Sequence, residues 1–67
     1  MEKIFDTQYG EVVIRPAMFD TNGTDLVEGV EAKVDGELFE IYGVLFSDLE
    51  LEDEEDACAF LHDQCLV

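Results

Sequence analysis

The segment VDGE, residues 34–37, constrains this chain more than any other. Asp-Gly tolerates positive φ at both central positions of a two-residue type I′ loop, whose twist matches that of paired strands. Such a loop sets a register. Val34 pairs with Glu37, Ala32 with Phe39, Val30 with Ile41, Glu28 with Gly43, and Leu26 with Leu45. Those positions share one face and are mostly apolar, so turn chemistry and side-chain pattern agree. Glu28 is the misfit. On the other face Glu31 meets Glu40, Lys33 meets Leu38, and Val27 meets Val44.

Two further turn signals lie upstream, QYGE (8–11) and TNGT (21–24). Between the turns stand four segments of strand-like composition, EKIFDTQ, EVVIRPAMFD, DLVEGVEAKV and ELFEIYGVLF. They predict an antiparallel meander. The Asn-Gly turn fits less well. A two-residue loop there sets Arg15 beside Val30 on the apolar face and Pro16 opposite Gly29, and both residues disturb a ladder. A bulge would return Val12 and Ile14 to the core.

The last segment reads as a helix near residues 53–65. Asp53 is the expected N-cap, and Glu54, Glu55 and Asp56 follow where the helix dipole favours negative charge. Ala57, Leu61 and Cys65, with Cys58 alongside, form an apolar stripe at the helical period, and Phe60 projects away from it. The expected fold is α+β: a four-stranded antiparallel meander with one C-terminal helix on one face, ββββα, in a single domain of residues 1–67. A chain this short buries only about 60% of its unfolded surface, so its stability is marginal.

Charge bounds the partners. Eighteen acids stand against three bases, Lys3, Arg15 and Lys33, for a net charge of −15. From Asp35 onward there are eleven acids and no Lys or Arg. This argues strongly against nucleic-acid binding, which needs cations at phosphates, and disfavours an anionic membrane surface. Basic proteins or cations are the natural partners. No apolar signal segment opens the sequence and no transmembrane run occurs in it. Cys58 and Cys65 would stand about 10 Å apart along a helix, too far for a disulfide. Reduced thiols fit a cytoplasmic protein.

Seven of the nine residues from Asp48 to Asp56 are acidic. Glu54, Glu55 and Asp56 need no explanation beyond the helix dipole. Asp48, Glu50 and Glu52 precede the helix. If residues 47–52 are extended, these three project to one side at about 6.6 Å intervals, twice the strand rise and of the order of successive phosphates.

Three other patterns suggest chemistry. Cys58, His62 and Cys65 have i, i+4, i+7 spacing and share one helix side, as zinc ligands would, but a structural site wants four ligands and no second pair exists. Cys58 and His62 as nucleophile and base lack an oxyanion hole, and acidic surroundings raise a thiol pKa. Asp20, Asn22, Thr24 and Glu31 follow the spacing of a calcium loop, but Asp25 stands where the turn glycine belongs. The expectation is no catalytic residue, no metal and no cofactor.

The function these features favour is non-enzymatic binding of a basic protein partner, with mimicry or inhibition of a nucleic-acid-binding enzyme as its sharpest form. The expected contact residues are Asp48, Glu50, Glu52, Asp53, Glu54, Glu55 and Asp56, with Phe60 as an apolar anchor. In size and charge the chain resembles small acidic proteins that imitate nucleic acid, a likeness of bulk properties carried by no motif. The rival is a self-associating module, a homodimer through Val27, Tyr42, Val44 and Phe46, and a metal-binding domain comes third.

Overall fold

A computed structural model describes residues 1–23 and 25–67. Four strands, β1 (Lys3–Thr7), β2 (Gly10–Thr21), β3 (Asp25–Val34) and β4 (Glu37–Tyr42), form one antiparallel sheet in the order β1-β2-β3-β4. A 3₁₀ turn at Phe46–Asp48 and the helix α1 (Glu54–Asp63) follow. This is the ββββα architecture that the turns and periods predict.

The β3–β4 hairpin has the predicted register from Val34↔Glu37 to Gly29↔Tyr42. Asp35 and Gly36 take φ of 49° and 89°, as a type I′ loop requires. The strand then stops earlier than expected. Gly43 adopts φ of 80°, outside the extended region, and redirects the chain. One last bond, Gly43 N–H to the Glu28 carbonyl at 3.0 Å, closes the ladder. The expected Leu26–Leu45 pair does not form, and Leu26 is 67% exposed. Val44 and Phe46 turn instead onto the core.

The β2–β3 hairpin corrects a second expectation. Its register runs unbroken from Thr21↔Asp25 to Val12↔Val34. This register is one residue out from the pairing that a two-residue Asn-Gly loop would set. Every partner is moved by one position. Val12 and Ile14 reach the buried face without a bulge, and Arg15 comes to stand opposite Glu31 rather than Val30. Pro16 stands opposite Val30 and costs no ladder bond. Asp35 N–H donates to the Glu11 carbonyl at 2.9 Å, so odd-numbered β2 residues bond to β3 and even-numbered ones face β1. Pro16 lies beyond Ile14, which pairs with Lys3 at the start of β1. Its missing N–H points where no strand waits.

One sheet face carries Val12, Ile14, Val30, Ala32, Val34 and Ile41 into a core completed by Leu51, Phe60 and Leu61. The helix stripe is Ala57, Phe60 and Leu61, not Ala57, Leu61 and Cys65. Phe60 is 7% exposed and points into the core rather than away from it. Burying a side chain of this kind is worth about 1.5–3 kcal/mol. Cys65 lies past the helix end, exposed, with φ of 59°. There it occupies the left-handed position of a Schellman cap. Cys65 N–H bonds to the His62 carbonyl at 3.0 Å and Leu66 N–H to the Leu61 carbonyl at 2.9 Å.

Candidate functional site

The acidic block divides by what each carboxylate touches. Asp53 is the N-cap, and its side chain accepts from Asp56 N–H at 3.0 Å. Asp56 answers by accepting from Glu52 N–H at 2.9 Å. The exchange resembles a capping box, with Asp in place of Glu and its reach extended one residue back. These two acids build the helix start. Glu54 and Glu55 stand exposed in the first turn, favoured by the dipole.

Before the helix, exposed Asp48, Glu50 and Glu52 alternate with half-buried Leu49 and buried Leu51. Lys3 Nζ donates to the Leu51 carbonyl at 2.6 Å and ties this stretch to β1. Asp48 belongs to the 3₁₀ turn, so the alternating stretch starts at Leu49 and the even spacing expected of three carboxylates applies only to Glu50 and Glu52.

Where this stretch passes the helix, a groove of about 310 Å³ opens. Its lining joins four acidic residues, Asp48, Glu50, Asp56 and Asp63, to apolar Leu49, Leu51, Ala59 and Phe60. The fold thus brings Asp48, Glu50, Asp56 and Phe60 together, while Glu52, Asp53, Glu54 and Glu55 stand outside the lining. Phe60 contributes only a sliver of surface, its ring being a core element. Asp63 is the member that sequence reasoning passes over. Its signal is helical spacing, three residues from Phe60 and seven from Asp56.

The proposed self-association set is split. Val27 and Tyr42 lie on the sheet face away from the helix, by strand alternation, whereas Val44 and Phe46 pack against the core. The thiol and imidazole set is dispersed as well. Cys58 is half-buried on the helix, Cys65 lies beyond it, and His62 Nε2 shares a hydrogen bond with Tyr9 Oη at 3.0 Å. Among the described residues, no three His, Cys, Asp or Glu side chains are arranged to hold a metal ion. Of the calcium-loop pattern, Thr24 lies outside the described residues, and Glu31 is engaged mid-strand by Arg15.

Of the eighteen acids, all but Glu31 and Asp56 are exposed. Those two are the ones with partners that explain their burial: Arg15 Nη2 at 3.1 Å from Glu31, and the Glu52 N–H. Among the described residues no other Lys or Arg is ion-paired. No described helix is long and apolar enough to cross a membrane. Comparison with protein-family models, with curated proteins and with solved structures finds no match for the chain.

Proposed function

We propose that this protein binds a basic protein partner through the acidic face formed by the 48–52 stretch and the start of α1, and does no chemistry of its own. The observation that carries this is the groove, where Asp48, Glu50, Asp56 and Asp63 share one lining with apolar Leu49, Leu51, Ala59 and Phe60. A Lys or Arg side chain has the matching two halves, an aliphatic stem and a cationic head. The net charge of −15 adds long-range attraction, which speeds encounter with a basic surface and repels an acidic one. A nucleic-acid-binding enzyme of the cytoplasm is the partner class with the most suitable cleft, and occupying that cleft would inhibit it.

The test is capture from an extract of the native host, eluted by rising salt, followed by association kinetics with the identified partner. The triple variant Asp48→Asn, Glu50→Gln, Glu52→Gln, and separately Asp63→Asn, should remain folded and associate more slowly. A triple variant that unfolds, while capture per folded molecule stays unchanged, would make the block structural and end the proposal.

A further inference from the structure

We propose that the free edge of β4 accepts an extended basic segment of another protein as a fifth strand, with a Lys or Arg placed opposite Glu40. β4 is the last strand in the sheet order. Backbone bonding alternates along an antiparallel strand. The bond from Gly43 N–H to the Glu28 carbonyl sets the phase. Residues 37, 39 and 41 bond to β3, and Leu38, Glu40 and Tyr42 turn their N–H and C=O groups outward. Among the described residues, no backbone group from a loop or turn bonds to those three. Their side chains share the face away from the helix and all three are exposed.

Charge selects the occupant. Across that face one row reads Arg15, Glu31, Glu40. Arg15 holds Glu31 at 3.1 Å. Glu31 and Glu40 then face each other in a non-hydrogen-bonded pair, the kind whose side chains stand closest, and like charges so placed repel. Among the described residues Glu40 has no cationic partner. A cation on a fifth strand would give it one. Leu38 and Tyr42, each 52% exposed, flank Glu40 and offer contact to apolar residues two positions either side of that cation. A second copy fits poorly. Antiparallel pairing centred on Glu40 sets it against its own equivalent, and each copy carries −15. Edge charges of this sort are how sheets refuse self-pairing, and here they leave the edge open to a basic strand.

This surface is separate from the acidic groove and shares with it only the expectation of a basic partner. The experiment titrates the isotope-labelled chain at low salt with a seven-residue peptide, Val, Lys and Val at alternate positions and Thr between. Amide shifts and slowed exchange should centre on Leu38, Glu40 and Tyr42. Methylating the backbone nitrogens of the Val and Lys residues removes the inward-facing donors and should abolish binding. Glu40→Lys keeps the fold, because it turns the Glu31–Glu40 pair into an attractive one, and should weaken binding by about 2- to 30-fold, one cross-strand attraction exchanged for one repulsion. The proposal is overturned by equal binding of the methylated peptide, by shifts confined to residues 48–56, by no binding at millimolar peptide, or by a dimer of the chain through this edge. Shifts confined to residues 48–56 would leave the groove proposal standing. Loss of partner capture in Glu40→Lys, with the triple variant unaffected, would sink the groove and keep the edge.

Discussion

The rings of Phe19 and Tyr42 lie face to face on the outer side of the sheet, centroids 4.5 Å apart and planes within 5° of parallel. Between their strands stands Gly29, paired with Ala17 on one side and Tyr42 on the other. A Cβ on Gly29 would collide with the Ile41 carbonyl oxygen and come within 2.6 Å of Phe19 Cε2. The middle strand offers no side chain here, and the Phe19 ring covers the gap. Phe19 is only 6% exposed although it faces away from the helix. A small sheet with one helix thus closes part of its second face with its own aromatics.

Gly29→Ala should therefore destabilise the protein by about 1–3 kcal/mol, as over-packing does. An unconstrained strand position would favour Ala by about 0.5–1 kcal/mol. Adding Phe19→Leu should not restore stability, because the Ile41 carbonyl is backbone and cannot move aside. Urea melts of the single and double variants check this. A neutral or stabilising Gly29→Ala would show that β3 and β4 part easily at this point.

The row Arg15, Glu31, Glu40 yields a second expectation. Glu40→Lys should stabilise the fold by about 0.2–1 kcal/mol, the range of a cross-strand charge pair. Arg15→Ala should destabilise it, by removing the partner of Glu31 and leaving the like-charged pair unrelieved. Both effects should shrink as salt rises, since the groups lie near water. Thermal melts at low and high NaCl measure the difference.

The sheet was legible in the sequence where two signals agreed. At Asp35-Gly36 the turn chemistry and the Val30/Ile41 pairing point to one register, and the structure has it. At Asn22-Gly23 they disagreed by one residue. The disagreement itself was informative, because a register shifted by one residue resolves it and also brings Arg15 to Glu31. The end of β4 was not legible, since Gly43 inside an apolar run reads as strand until its positive φ is seen. Helical period alone placed Cys65 in the stripe and Phe60 outside it. The period holds only while the helix lasts, and α1 ends at Asp63. The groove escaped the sequence for a different reason. Its two walls come from segments whose meeting depends on the Lys3–Leu51 tie and the burial of Phe60.

Cys65 supplies a third prediction. It fills the left-handed cap position with φ of 59°, where a side chain costs roughly 1–2 kcal/mol and Gly costs little. Cys65→Gly should raise stability by about 1 kcal/mol and remove an exposed thiol. Cys65→Val, β-branched at the same φ, should lower it. Denaturant midpoints for the two variants give the answer, and a destabilising Cys65→Gly would mean that Cys65 makes contacts that outweigh the backbone strain.

The block from Asp48 to Asp56 should separate into acids that hold the fold and acids that oppose it. Asp53→Ala removes the acceptor for Asp56 N–H and should cost about 0.5–2 kcal/mol. Asp53→Asn keeps an acceptor and should cost much less, because Asn caps nearly as well. Neutralising Asp48, Glu50 and Glu52 removes three exposed charges from a chain of −15, and repulsion within so small a body should ease. The Glu52 contribution to the cap is its backbone N–H, which Gln retains. That triple variant should match or exceed the parent in melting temperature. Added salt should raise the parent's melting temperature more than the variant's, since screening acts on repulsion that the variant has already lost. A parent that melts lower as NaCl is added would show that attractive pairs dominate. The clustered acids would then be a stabilising feature, contrary to their exposed and unpaired placement.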